Sequence, residues 1–198
     1  MDTLLSLILF AAVATLSPGG ATTLATACGI QFGYLRSLPL VAGIACGLAT
    51  LVASASVGLG AMLLAVPALS LAMKIVGTVY LLWLAWKIAR SGSPGKTAVD
   101  DVRPIGFVGG YLLLLINPKA WAMAFGASAS FSTVADNPVE LAVIMGSVFV
   151  VAASLSLSLW SAGGALLASI VRTDFQWRAL NIFLAGLLPL SILPFWFG

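Results

Sequence analysis

A lysine stands inside an apolar stretch at position 119, directly behind the helix-breaking pair Asn117-Pro118 and with no acid nearby. A second proline break, Ser17-Pro18-Gly19, interrupts the first apolar stretch, and Lys74 lies near the start of a third. A lysine at the midplane of a bilayer costs on the order of 2.5–3.5 kcal/mol even on lenient insertion scales, so a function is the first explanation to seek. No Asp or Glu falls within any apolar stretch. Buried cations without an acid favour an anionic ligand group such as a carboxylate. Proline removes a backbone donor and clashes with the preceding turn, so carbonyls before Pro18 and Pro118 lose their partners. Together with the side chains of Ser17 and Asn117, those carbonyls can receive an amino group by hydrogen bonds alone. The chemistry is recognition of a zwitterion rather than catalysis. The chain has no histidine, no paired carboxylates and no nucleophile beside an obvious base. Each lysine also has a structural alternative. The stem of Lys74 can snorkel to an interface, and Lys119 can donate to the carbonyls of its broken helix.

The elements that must position these groups are membrane spans. The chain is 61% hydrophobic and 8% charged, and charge-free runs extend over 3–35, 37–73, 141–171 and 179–198. A helix needs about 20 apolar residues to cross about 30 Å of hydrocarbon. These runs are continuous blocks, whereas a transmembrane barrel would show alternating segments of about ten residues. The expected fold is therefore an all-α integral membrane protein in the lipid bilayer. The +3 net charge is scattered between the apolar blocks, with no basic stripe to track a phosphate backbone, so nucleic acid is excluded as a partner. Cys28 and Cys46 form neither a CxxC pair nor a metal cluster, and read as small packing residues. No cofactor or metal is expected. The N-terminal apolar run lacks the basic flank of a signal peptide and reads as the first span.

Six spans fit, at 3–28, 38–64, 68–89, 105–132, 139–168 and 178–197. The separators are residues 29–37, Val66-Pro67, 90–104, Asp136-Asn137-Pro138 and Arg172-Thr173-Asp174. The chain then forms one transmembrane domain, with a first three-helix half at 1–90, a linker at 91–104 and a second half at 105–198. The odd-numbered loops and their helix ends hold seven basic residues and the opposite side one, Lys74. That bias puts the odd loops in the cytoplasm and both termini outside. Trp83, Trp86 and Trp177 then fall near the inner interface and Phe195-Trp196-Phe197 near the outer one. The first span of each half is broken by proline near its middle, and halves with an odd number of spans enter the membrane from opposite sides. This is the pattern of an inverted repeat whose discontinuous helices meet near the midplane around a substrate site.

The chain resembles the LysE/RhtB family of bacterial amino-acid exporters over essentially its whole length. The residues that carry the resemblance are Ser17-Pro18-Gly19; Gly33, Gly43 and Gly47; Lys74, Gly77, Tyr80 and Leu81; Asn117-Pro118-Lys119-Ala120; and Gly186. It implies a bacterial inner-membrane efflux carrier driven by the membrane potential or by a proton or other coupling ion, with no ATP site. It adds Tyr80 to a candidate substrate site of Ser17, Pro18, Gly19, Lys74, Asn117, Pro118 and Lys119. The family's first motif usually continues Pro-Gly-Pro and a polar residue; Gly20 and Ala21 stand there instead, which makes that break more flexible and less polar. The reading is export of a small, neutral amino acid or related zwitterion. A different class, a channel in which the lysines form an anion-attracting constriction, is the alternative. Gly43 with Gly47 and Gly106 with Gly110 give faces for close helix approach, within one chain or at a homodimer seam. Trp121 and Phe125, one helical turn apart, either line the cavity or face lipid.

Overall fold

The computed structural model describes residues 2–58, 67–90 and 104–190, without the side chains of residues 2, 67–70, 73, 74, 77 and 80. The expected turn at Val66, most of the linker 91–104 and the aromatic group Phe195-Trp196-Phe197 lie outside the described residues. Eight α-helices are described: α1 (Asp2–Leu16), α2 (Gly20–Phe32), α3 (Tyr34–Ser56), α4 (Pro67–Ala89), α5 (Phe107–Leu115), α6 (Pro118–Ser130), α7 (Pro138–Ile170) and α8 (Asp174–Leu190).

Both expected proline breaks are present. The 3–16 and 20–32 segments meet at 58°, and 107–115 and 118–130 at 67°. Helices α3 and α7, of 23 and 33 residues, are long and apolar enough to cross a bilayer unaided, and each bent pair qualifies as one broken span. Pro39 and Pro189 lie inside α3 and α8 without ending them. The carbonyl that Pro39 displaces belongs to Leu35, in the exposed first turn of its helix, where solvent or headgroups can satisfy it.

The first separator is shorter than its sequence suggests. Where residues 29–37 read as a loop between spans ending at 28 and starting at 38, helix α2 runs to Phe32 and α3 begins at Tyr34. The reversal is made by Gly33 alone, at φ +80°, where a side chain would be strained. Gly33 N–H closes on the Gly29 carbonyl, and Ser37 Oγ donates to the Gly33 carbonyl at 2.9 Å. Arg36, whose charge marked the separator, is exposed in the first turn of α3 instead. Asn137 caps α7 within its expected separator by accepting from Glu140 N–H at 2.8 Å, whereas α8 starts at Asp174, inside the last separator and ahead of the expected span start at 178.

The long helices α3 and α7 pack on each other at the centre. The first broken pair lies on α7 and the second on α3, while α4 packs on α8. Exchanging the two halves maps these packings onto one another: α1–α7 onto α5–α3, α2–α7 onto α6–α3, and α2–α8 onto α6–α4. The α2–α3 contact has no extensive counterpart.

Glycine lets the central backbones touch. A Cβ on Gly43 would collide with the Phe107 carbonyl, and one on Gly110 would come within 2.6 Å of the Leu40 carbonyl. On the other side of α7, Gly29 faces the Ser161 backbone and Gly164 the Thr26 backbone at similar closeness. Gly43, Gly47 and Gly110 are thus used inside one chain, whereas Gly106 faces open space. Cys28 and Cys46 are free, on α2 and α3. Phe149 and Met145 fill the core, and the leucine and valine side chains facing outward on α7 (Val143, Val151, Leu155, Leu159) are a lipid-type surface. At one end of α4, Lys87 and Arg90 sit over the rings of Trp83 and Trp86 at 5.3 and 4.6 Å, an aromatic and basic pairing suited to a membrane interface.

Gly43→Ala should therefore destabilise the protein by about 1–3 kcal/mol, because backbone rather than a movable side chain occupies the space. Gly126→Ala, where nothing lies within 4 Å, should leave stability unchanged. Thermal unfolding in one detergent compares them; equal midpoints would contradict the close α3–α5 crossing.

Candidate functional site

The two breaks meet. Between them lies a cavity of about 50 Å³ lined by Ser17 and Gly19 from the first break, Asn117 and Lys119 from the second, and apolar side chains of α3, α5, α6 and α7. That volume has room for a few water molecules. Lys119 reaches across from the start of α6 and is half-buried. Its Nζ donates to Ser17 Oγ at 2.8 Å, to the Pro18 carbonyl at 3.0 Å and to the Ser17 carbonyl at 3.3 Å. These three acceptors use all three donors of an alkylammonium. The structural alternative for Lys119, donation to freed backbone carbonyls, is what the geometry shows, but the carbonyls belong to the other broken span.

Every carbonyl around the first break has a traceable partner. Val13 receives Ser17 N–H at 3.1 Å. Ala14, whose usual donor is missing at Pro18, receives Ser17 Oγ–H at 2.8 Å. Thr15 receives Ser156 Oγ–H at 2.8 Å and Leu16 the indole N–H of Trp160 at 3.3 Å, both from α7. Gly19 N–H donates to Thr22 Oγ1 at 2.8 Å, and that hydroxyl donates back to the Gly19 carbonyl at 2.9 Å. In a medium without water this accounting decides whether a broken helix is tolerable.

The second break is solved differently. Asn117 Oδ1 caps α6 by accepting Lys119 N–H at 3.0 Å. This leaves the Leu115 carbonyl without its usual donor, and Trp121 Nε1–H takes it at 2.7 Å. Asn117 N–H reaches the Leu114 carbonyl at 3.1 Å. Trp121 is thereby a brace across the bend, in tilted ring contact with Phe125 at 5.4 Å. The cavity wall on α6 is formed by Ala120 and Met123.

Of the residues singled out in sequence, Ser17, Gly19, Asn117 and Lys119 share the cavity. Pro18 is exposed and contributes its carbonyl; Pro118 is buried at the first position of α6. Lys74 and Tyr80 fall on α4, and their side chains lie outside the described residues. Gly20, found where the related motif has proline, is buried in the first turn of α2, and a Cβ there would come within 2.9 Å of Leu81 Cδ2. It is a close-packing position against α4. Ser156, Trp160 and Thr22 were missed in sequence, and Trp121, expected to line the cavity or face lipid, instead donates to the Leu115 carbonyl across the bend. The available signal was weak: Ser156 and Trp160 lie one turn apart, but Ser154, Ser158 and Ser161 stand in the same run.

No solved structure matches the chain. The family model of the LysE type translocator matches residues 12–190. Among curated proteins, the cysteine/O-acetylserine efflux protein of Klebsiella pneumoniae subsp. pneumoniae is 31% identical over 194 residues, covering 94% of this chain and 93% of its own. The cysteine/O-acetylserine efflux protein of Salmonella typhimurium is 27% identical over 177 residues, covering 89% and 88%. That of Escherichia coli O1:K1 is 28% identical over 179 residues, with the same coverage.

Gly19 abuts the ammonium: a Cβ there would lie 2.9 Å from Lys119 Nζ and 3.3 Å from its Cδ. The crowded atoms are the far end of a flexible side chain, so Gly19→Ala should fold with a stability change under about 1 kcal/mol. It should displace the ammonium from its oxygens and reduce transport several-fold. A large loss of thermal stability, or unchanged transport with unchanged stability, would contradict this geometry.

Proposed function

We propose that this chain, which belongs to the LysE type translocator family, is a secondary-active exporter of small, neutral amino acids or related zwitterions. Family membership makes it a multi-pass membrane transporter of the bacterial inner membrane and not an enzyme. In the proposed site, the substrate's carboxylate pairs with Lys119 and its amino group meets the broken backbone at Ser17 and Pro18, with Asn117 and Gly19 beside them. Pro118 holds the second bend, and Lys74 and Tyr80 of α4 complete the proposed set. The observation that carries the reading is an ammonium at the meeting point of two broken helices, bonded only to uncharged oxygens. Such a group needs no protein acid to stay, and it is the natural partner for an entering carboxylate.

The rest of the cavity supports an uncharged substrate side chain. Ile44, Leu48, Leu114, Met123, Ala153 and Leu157 form its walls. A second ammonium would enter a site that already holds Lys119 and offers no carboxylate. The relatives are named for cysteine and O-acetylserine, both amino acids with uncharged short side chains. The half-exchanging pattern of helix packings supports six spans in two inverted halves, and the basic residues support cytoplasmic odd-numbered loops with both termini periplasmic. A proton or another ion would couple transport. A homodimer would have to use a face other than Gly43 and Gly47, which are occupied within the chain.

Lys119→Ala should cut efflux from everted vesicles by roughly one to two orders of magnitude, the equivalent of 1.5–3 kcal/mol for a charge-assisted hydrogen bond. The variant should still insert in the membrane; undiminished efflux would remove the site assignment. Saturable counterflow of labelled amino acid is expected of a carrier, and its absence with linear flux would favour a channel. Ala153, 2% exposed on the cavity wall, sets the space for the side chain. Ala153→Leu should reduce transport of O-acetylserine about 10-fold or more relative to alanine. An unchanged ratio would place the substrate side chain elsewhere.

A further inference from the structure

We infer that the three oxygens at the first break form a primary-ammonium site, which Lys119 fills while the carrier is empty and which the α-ammonium of a zwitterion takes over on binding. This rests on the proposed pairing of Lys119 with the substrate carboxylate and adds what occupies the amine site beforehand. The site accepts hydrogen bonds and donates none. Ser17 Oγ–H is committed to the Ala14 carbonyl at 2.8 Å, so the lone pairs of that oxygen are what Lys119 meets. The neighbouring carbonyls of Thr15 and Leu16 are closed by Ser156 and Trp160. The Ser17 and Pro18 carbonyls are bonded by Lys119 alone, with no rigid α7 side chain assigned to them.

The geometry suits a nitrogen with three hydrogens: acceptors at 2.8, 3.0 and 3.3 Å converge on one Nζ. It also suits a small head group, since Gly19 leaves no side chain where a Cβ would lie 2.9 Å away. Lys119 comes from the other half of the chain, 102 residues from Ser17. While the lysine fills the site, it ties the two broken spans together. An amino acid entering the cavity offers a carboxylate to Lys119 and an ammonium to the oxygens, so both partners of the broken contact are satisfied in one exchange. An amine without a carboxylate could fill the oxygens only by leaving the Lys119 ammonium bare, and the intact carrier rejects it. Release of the clasp is thereby coupled to a ligand that carries both charges.

Removing the lysine stem should expose the site to simple amines. In Lys119→Ala, n-propylammonium supplies the atoms that the substitution removes from Cγ to Nζ. Thermal unfolding of the purified variant, titrated with n-propylammonium chloride, should show a saturable rise in midpoint that tetramethylammonium chloride, which has no N–H, does not produce. The wild type, its site filled, should show no such rise. Lys119→Met keeps the stem volume as far as Cε and should respond in the same way to ammonium chloride, which covers a poorly folding alanine variant. Equal shifts with tetramethylammonium, equal shifts in the wild type, or no shift in either variant would overturn the inference. If Lys119→Ala loses efflux yet neither variant binds an amine, the carboxylate role of Lys119 stands and the ammonium site falls; if Lys119→Ala exports normally, the carboxylate role itself falls.

Discussion

A carbonyl oxygen without a hydrogen-bond donor is costly in hydrocarbon, and the centre of this molecule is arranged around that cost. Two prolines open the backbone of two spans, and each opening must be closed by something other than water. The two halves use different devices. At the first break the local donors Ser17 and Thr22 are joined by donors borrowed from elsewhere: Ser156 and Trp160 from α7 and Lys119 from α6. At the second they are local, from Asn117 and Trp121. The first break thus depends on the rest of the fold, whereas the carbonyls of the second are closed from within its own pair of helices. Among the described residues, the donor that passes between the breaks is also the positive charge that lines the cavity. On the proposed reading, stability of the broken backbone and recognition of a ligand are consequently functions of a single ammonium.

That ammonium can reach its oxygens because the surrounding helices approach to backbone contact. Gly43 and Gly110 close α3 on α5, and Gly29 and Gly164 close α2 on α7. Without a hydrophobic drive between helices in lipid, such closeness is gained from van der Waals packing of small residues. The elements that carry the two breaks are thus held against α3 and α7 by glycines distant from Ser17 and Lys119 in sequence.

The meeting of the two breaks was legible because the elements that produce it are composition-coded. Proline following Ser17 or Asn117 inside an apolar run declares a break, and a lysine in such a run declares a need for oxygen. Pro39 shows why position matters: the same residue in the second turn of a helix leaves that helix whole. The separator around Gly33 was read too long because Arg36 beside a glycine looks like a loop residue in a hydropathy pattern, yet a helix end can carry it at an interface. The support given by Ser156, Trp160 and Trp121 could not be read in advance. Each donates to a carbonyl in another element or across a bend, and no local pattern states which carbonyl a bend will free. Which cavity wall belongs to which helix was equally hidden, since it depends on crossing angles.

The absence of an acid in the spans constrains transport more than the presence of a lysine does. A carboxylate beside Lys119 would form a neutral pair, and a zwitterion would have to break it without gaining charge complementarity. Here the lysine is held by dipoles, which stabilise the cation without cancelling its charge. A zwitterion adds no net charge to the cavity, so the loaded site carries the same charge as the empty one. A dibasic amino acid would add a full positive charge in a region of low dielectric, where repulsion between like charges is strong. Selection for a neutral side chain on this reading therefore comes as much from charge that the cavity cannot take as from the apolar walls that accept the side chain.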